Sequence, residues 1–488
     1  MKIKNGFRYE LNGWVYIHIQ GKPFERGFAH GYLLAKEIAE ALRIIKFSLY
    51  DTHGLKMEFF EEVANYLFKH IIDDDFNEIL EEIEGITKGA NARGANVNLS
   101  QILLLNNYSS LEYALPKLKA YIENIPELKK KYGPLLHKLP SATNLIGGNT
   151  KETCSAFMAV GDYTKDGKVV CAHNTFENFW DGQLVNIVID IKPEKGNRIL
   201  YQAYPGSVWS QTDFFVTSNG FIGTETTIGG FINYTPNHPI GYRMRKCMQY
   251  ANTLDDYVKM LTDRNSGDYA NSWLIADVNK NEIMRIELGL EFVNVERKKN
   301  GYFIGFNAPY DARIRNLECI NTGFDDVRRH QGARKVRLEQ LMEQNKGKLD
   351  IPTAQLIIGD HFDIYLDRTN PCSRTCCSHY ELDDRAFMSQ ADRPLPFQPR
   401  GAVDGICCST ELAKKMGFSA RWGSSCGFPF DVKKFIERNR QWARFEPYLK
   451  DRPHQPWTEF TSLERHPYQK YTKSKKPKKD SKKTKSIK

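Results

Sequence analysis

At Cys154 the hydrophobic repeat of this 488-residue chain changes from helical spacing to alternation. Before it, residues 25–50 carry Leu33, Leu34, Ile38, Leu42 and Ile45 at helical spacing, and residues 75–88 carry Phe76, Ile79, Leu80, Ile83 and Ile86 likewise. Asn98 caps a further segment, 101–107. The first 150 residues therefore read as helical, with Pro and Lys interrupting the pattern from 116 to 137. After Cys154, runs at 155–160, 168–173, 184–191, 198–203, 213–217 and 220–225 follow one another across short Gly, Asp and Asn turns, which predicts antiparallel sheet. Helical segments at 241–251, 254–262 and 332–344 then alternate with strands at 272–277, 283–288, 292–296 and 302–307. Strands in runs and helices in runs predict an α+β fold with layered packing, not a doubly wound parallel sheet.

The length is enough to bury a large core, and no apolar run approaches the eighteen residues of a membrane span. The start, Met1-Lys-Ile-Lys-Asn-Gly, offers charge without an apolar stretch, so no secretory signal is expected. Residues 470–488 hold ten lysines and one aspartate, which is +9 of the formal +10 and leaves a nearly neutral body. That tail is expected to be disordered, serving solubility or contacting an anionic surface or nucleic acid. All ten cysteines fall at or after Cys154, and six crowd the end: Cys372, Cys376, Cys377, Cys407, Cys408 and Cys426. Their spacing matches no standard zinc motif, so buried thiols or disulfides are expected and no metal. With no Walker A loop, dinucleotide fingerprint or His-Glu-x-x-His motif, no cofactor is expected either.

Cys154 opens the run 154–160, and the next run closes on His173-Asn174. A hairpin that sets Val160 against Lys168 would bring Cys154 opposite Asn174, placing a thiol beside an imidazole and an amide. The preceding Gly147-Gly-Asn-Thr-Lys-Glu-Thr153 reads as an exposed connector. A backbone cut there would give the thiol its own amine base, since an α-amino group titrates near 7.7–8.0 and a thiol near 8.5. A rival motif, Gly423-Ser-Ser-Cys-Gly427 with Asp431 and His454 behind it, fits G-x-S-x-G, but Pro429 sits where the following helix should run.

Several separated stretches together resemble the phospholipase B-like family of N-terminal nucleophile hydrolases. They are Cys154-Ser-Ala, His173-Asn-Thr-Phe176, Tyr204-Pro-Gly-Ser-Val-Trp-Ser210, Asp213-Phe-Phe215, Glu225-Thr-Thr227, Asn265-Ser-Gly-Asp-Tyr-Ala-Asn-Ser-Trp273, Arg328-Arg-His-Gln331 and Gly401-Ala-Val-Asp404. Gly21-Lys-Pro-Phe-Glu-Arg-Gly-Phe-Ala-His-Gly31, and Asp360-His361 with Cys372 and His379, are similar to the related isopenicillin N acyltransferase group. The resemblance implies a four-layer αββα sandwich and a precursor that cuts itself between Thr153 and Cys154. The implied parts are a helical chain 1–153, a catalytic domain 154–468 and the tail 469–488. The family's usual His-Asn-Thr-Trp ends here in Phe176, which keeps an aromatic wall but drops the indole donor.

The implied catalytic residues are Cys154, His173 and Asn271, with Asn174, Phe176, Thr226, Trp273 and Arg334 around the substrate. An oxyanion-hole amide at Asn271 needs its N–H aimed at the reacting oxygen; otherwise Asn271 is a turn cap before the 272–277 strand. His173 orients the Cys154 amine, touches substrate, or is a structural histidine at a strand end. The expected substrate is a lipid or N-acyl amide. Three other readings stay open: amidase or acyltransferase chemistry with the same residues, a non-catalytic component docking through the lysine tail, and an intact thiol enzyme whose base is His173.

Overall fold

The computed structural model describes residues 1–138, 154–320, 323–384 and 396–468. Helices dominate before Cys154, as the periodicity predicts: α1 (Pro23–Leu33), α2 (Ala35–His53), α3 (Met57–Ile71), α4 (Asn77–Ala92), α5 (Leu99–Asn124) and α6 (Pro126–Tyr132). The helical reading fails at the start, where β1 (Lys2–Ile3), β2 (Gly6–Leu11) and β3 (Trp14–Gly21) form strands. The reason is local: Asn12 and Gly13 both take positive φ (50° and 82°) and close a two-residue hairpin with Leu11 paired to Trp14. Trp14-Val-Tyr-Ile-His-Ile then supplies β-branched and aromatic residues to the strand.

These N-terminal strands belong to a ten-stranded sheet. Beyond β3 it continues through β6 (Ile187–Pro193), β7 (Ile199–Ala203), β8 (Phe214–Thr217), β9 (Phe221–Thr227), β10 (Asn271–Asp277), β11 (Glu282–Leu288) and β12 (Val293–Lys298). The strands pair antiparallel except at β3–β6, where Val15 to Gly21 run parallel to Ile187 to Pro193. A second sheet runs β13 (Gly301–Gly305), β4 (Cys154–Val160), β5 (Val170–Asn178), β17 (Asp404–Ser409), β18 (Gly417–Trp422) and β19 (Thr458–Thr461), with β16 (Arg400–Ala402) also on β5. A small ribbon, β14 (Phe362–Asp363) with β15 (Arg368–Thr369), stands apart. Helices α7 (Phe179–Gly182), α8 (Ile240–Tyr250), α9 (Leu254–Thr262), α10 (His330–Gln344) and α11 (Ile351–Ile358) complete the α+β fold.

Alternating side chains sort into three successive cores. Ile17, Ile189, Tyr201 and Ile275 of the large sheet pack with the early helices and α8–α9. Tyr16, Val188, Leu200 and Leu274 of the same strands meet Ala156, Met158, Cys171 and Ile406 of the second sheet. Phe157, Ala172 and Cys407, on its other face, pack under Leu338, Leu341 and Ile357 of α10 and α11.

Among the early helices, α1 and α4 cross at backbone distance. A Cβ at Gly27 or Gly31 would lie 2.0 Å from the carbonyl oxygen of Glu82 or Ile86, and one at Gly89 would lie 2.0 Å from that of Phe28. The same crossing buries Glu82, which accepts hydrogen bonds from Arg26 of α1 and Arg245 of α8. Burial alone would raise the Glu82 pKa, but the two guanidinium groups hold it below the usual value.

Candidate active site around Cys154

The β4–β5 register differs by one residue from the expected one. Cys154 pairs with Thr175, Ser155 with Asn174 and Ala156 with His173. A one-residue slip moves side chains to the other face, so Thr175, not Asn174, lies opposite the thiol. The cause is the connection: Val160 runs into a short 3-10 turn, Gly161–Tyr163, and Gly161 and Gly167 take left-handed φ. By alternation Cys154 shares the inter-sheet face with Ala156 and Met158, and His173 shares it too.

Cys154 is 1% exposed, and side chains hold both of its backbone groups. Its N–H donates to Asn307 Oδ1 at 3.2 Å, and its carbonyl accepts from the Arg334 guanidinium. Arg334 is wholly buried; it also donates to Asn307 Oδ1 at 2.8 Å and to Ser155 Oγ at 3.2 Å. Asn307 Nδ2 donates to the Thr227 carbonyl at 2.8 Å, and Thr227 is paired across the ladder with Asn271. Asn271 is fully buried, and neither its Nδ2 nor its Oδ1 has a hydrogen-bond partner among the described residues.

Carboxyl groups surround this frame. The Tyr269 hydroxyl lies 3.0 Å from both Asp213 Oδ2 and Glu225 Oε1 and accepts from Thr227 Oγ1. Burial first, then the neighbouring Asp213, pushes the Glu225 pKa well above the carboxylate range, against the Tyr269 hydrogen bond. Asp404 of β17 accepts from the Thr175 N–H and from Gln202 Nε2, yet burial still lifts it to about 6. Neither ring nitrogen of His173 has a hydrogen-bond partner at normal distance among the described residues; burial pushes its pKa down to about 3, opposed by the backbone of Glu225. Its imidazole is therefore neutral at physiological pH. A cavity of about 50 Å³ opens beside Thr175, walled by Glu177, Asp213, Tyr204 and Tyr269 and by Leu105 and Tyr108 of α5. A larger hollow of about 700 Å³ beside Arg8 and Glu37 shares no lining residue with it.

The expected site residues divide accordingly. Cys154 and Arg334 are in contact, and His173 and Asn271 lie within the same frame. Thr226 faces the second sheet, where a Cβ on Gly305 would strike its side chain, and its Oγ1 has no partner among the described residues. Trp273 lies in the helix-side core opposite Glu225. Asn174 and Phe176 point to the other face of β5, Phe176 packing with Cys377 and Ala402 beneath the Arg334 guanidinium. Thr153 and the connector lie outside the described residues, as does the 469–488 tail. Asn307 was not singled out from the sequence, and Asp404 and Tyr269 stood there only within the stretches that carry the resemblance, without a role. The rival motif is not a nucleophile elbow: Ser425 Oγ donates to the Ile358 carbonyl, and a turn rather than a helix follows β18. No disulfide joins any of the ten cysteines.

The fold and this frame define an α+β protein with a strand-opening cysteine held in a polar centre between its elements. Residues 9–466 match the phospholipase B family model, and the chain belongs to that family. Phospholipase B-like protein C of Dictyostelium discoideum is 23% identical over 273 residues, covering 50% of this chain and 46% of that protein. Phospholipase B of Crotalus adamanteus is 25% identical over 249 residues, 45% and 42% of the two chains. The chain spans about half the length of the curated relatives it matches. A conjugated bile acid hydrolase variant from Clostridium perfringens aligns over 57% of this chain and 83% of its own at 10% identity, with a TM-score of 0.27, too loose a match to carry an argument. No helix among the described residues is long and apolar enough to cross a membrane.

Proposed function

We propose that the chain is a self-processing N-terminal cysteine hydrolase that cleaves acyl ester or amide bonds of lipids. The observation that carries this reading is the side-chain grip on the Cys154 backbone, by Asn307 at its nitrogen and Arg334 at its carbonyl. The same Asn307 oxygen that accepts from the amide would hold the amine after a cut. Processing starts with attack of Cys154 Sγ on the Thr153 carbonyl carbon. The Thr153–Cys154 C–N bond then breaks, leaving a thioester and a freed amine, and water hydrolyses the thioester to a Thr153 carboxylate and the thiol.

In the cut enzyme the Cys154 amine takes the thiol proton and Sγ attacks the acyl carbonyl. Asn271 Nδ2, which has no competing partner among the described residues, donates to the developing oxyanion. The protonated amine passes its proton to the departing alcohol or amine. Water, deprotonated by the same amine, then releases the fatty acid and restores the thiol. Neutral His173 shares the inter-sheet face with Cys154 and brings no charge to it. Family membership supports an acyl-lipid substrate.

Intact mass and N-terminal sequencing of wild type beside Cys154→Ala, after incubation at mildly acidic and neutral pH, test the reading. A second chain starting at Cys154, in wild type alone and accompanied by release of fatty acid from phospholipid or N-acyl amide, is expected. Activity in an uncut chain would move the base to His173. An uncut and inactive wild type in every condition would remove the hydrolase reading and leave docking through the lysine tail.

A further inference from the structure

Behind β5, on the face away from Cys154, four side chains from three separate segments converge. They are His361, just after α11, Cys377 and His379 on the next loop, and Cys426 in the turn after β18. One ligating atom of each lies within 4.8 Å of all the others. His361 Nε2 is 3.2 Å from His379 Nε2, and Cys377 Sγ and Cys426 Sγ are 3.4 and 3.5 Å from that same nitrogen. A tetrahedral zinc ion, with Zn–S of about 2.3 Å and Zn–N of about 2.0–2.1 Å, separates its donor atoms by about 3.3–3.8 Å. The three distances from His379 Nε2 lie close to the edges of such a tetrahedron, and every other pair falls within 4.8 Å.

The orientation of His379 is set by an acidic neighbour. Its Nδ1 lies 2.7 Å from Glu381 Oε1, and a carboxylate can only accept, so Nδ1 carries a proton. Its Nε2 faces another imidazole nitrogen and two sulfurs. A carboxylate behind a ligating histidine is the usual outer partner that fixes tautomer and raises basicity. Cys377 and His379 are buried, His361 and Cys426 are half-buried, and the Phe428 ring lies 5.1 and 5.5 Å from the two imidazoles.

We infer that His361, Cys377, His379 and Cys426 form a structural zinc site that fastens the C-terminal segments to the back of β5. Four protein ligands leave no open position, which marks a structural and not a catalytic zinc. Binding forms two Zn–S and two Zn–N bonds and releases the two thiol protons to solvent. Asn174 sits beneath the site. Its Nδ2 donates to the carbonyls of Ile358 and Cys376 and to Ser425 Oγ, one contact to each ligand-bearing segment, while its Oδ1 accepts from the N–H of Ser155. The local Cys spacing gave no hint of this, because only Cys377 and His379 are neighbours in sequence.

Metal analysis of the full chain, purified under reducing conditions with added zinc and then freed of loose metal, tests the site independently of any acyl hydrolysis. About one zinc per chain is expected in wild type. The Cys377→Ser/Cys426→Ser double variant should lose it at least fivefold, whereas Cys372→Ser, whose thiol contacts Asp363, should keep it. Cobalt added to zinc-stripped wild type should give the absorption of a tetrahedral thiolate site, a readout that needs no variant to fold. Wild type without bound zinc and without that cobalt spectrum, or holding a Cys377–Cys426 disulfide under reducing purification, overturns the inference.

Discussion

Asn271 separates chemistry from stability more cleanly than any other residue near Cys154. A buried amide with no partner costs about 1–3 kcal/mol, so removing it should not weaken the fold. Asn271→Ala is therefore expected to lower kcat about 10²–10³-fold while leaving the thermal midpoint unchanged or higher. A midpoint that collapses together with activity would make Asn271 a structural cap. Asp404 carries a different signature. Its folded pKa of about 6 lies above the unfolded carboxylate value, so its contribution is fullest below about pH 4 and is lost as pH rises through 6. Up to about 3 kcal/mol of relative stability should shift across that window. Asp404→Asn should make the slope shallower by that share, with Glu225 and Asp383, also raised by burial, keeping theirs; thermal melts of both proteins between pH 4 and 7.5 would read it, and parallel profiles would refute the assignment. Cys154 was singled out in the sequence by its strand-opening place in a motif, and Arg334 was named beside the substrate although it lies in none of the quoted stretches. Asn307 was not, because its role depends on a left-handed φ of 65° and a partner more than 150 residues away. The slip that placed Thr175 opposite the thiol came from a turn whose length alternation alone does not set.

Among the elements, the α1–α4 crossing makes the sharpest demand. Carbonyl oxygens stand 2.0 Å from where Cβ atoms would be at Gly31 and Gly89, and backbone cannot swing aside as a side chain can. Alanine at either position should destabilise by about 1–3 kcal/mol or more. Gly133 is the control: its φ of −46° suits any residue and its nearest contact would be Lys129 Cγ at 3.8 Å, so Gly133→Ala should stabilise slightly, by up to about 1 kcal/mol. Equal losses at all three sites, by chemical denaturation, would discount the close-approach argument. Short apolar runs bounded by Gly, Asp and Asn turns located β4 through β11 well, because these strands are buried on both faces and end where the turn residues stand. The β2–β3 hairpin departs from the helical expectation: Asn12-Gly13 is a strong turn signal, and the helical stripe begins only at Glu25, after the hairpin has closed. His361, Cys377, His379 and Cys426 lie in turns and connections between short elements, where periodicity says little and only three-dimensional convergence reveals them together.

At the scale of the molecule, the segment before Cys154 is not a separate domain. It contributes β1–β3 to the ten-stranded sheet and Arg26 and Glu82 to a buried cluster completed by Arg245. After a cut at Cys154 the two pieces should co-elute in size exclusion at neutral pH and part only in denaturant. Separation in plain buffer would mean that the β3–β6 ladder is weaker than its seven parallel residue pairs suggest. The α+β class was legible from the change of period, but this junction was not, since nothing local in either strand names its partner. The parallel seam has a further result for any proteolytic maturation. Scission at Thr153–Cys154 would alter connectivity while sparing the hydrogen-bonded weave, so precursor and product would present nearly the same outline to an antibody or a binding partner, and maturation would be visible chiefly to a molecule able to enter and test the interior.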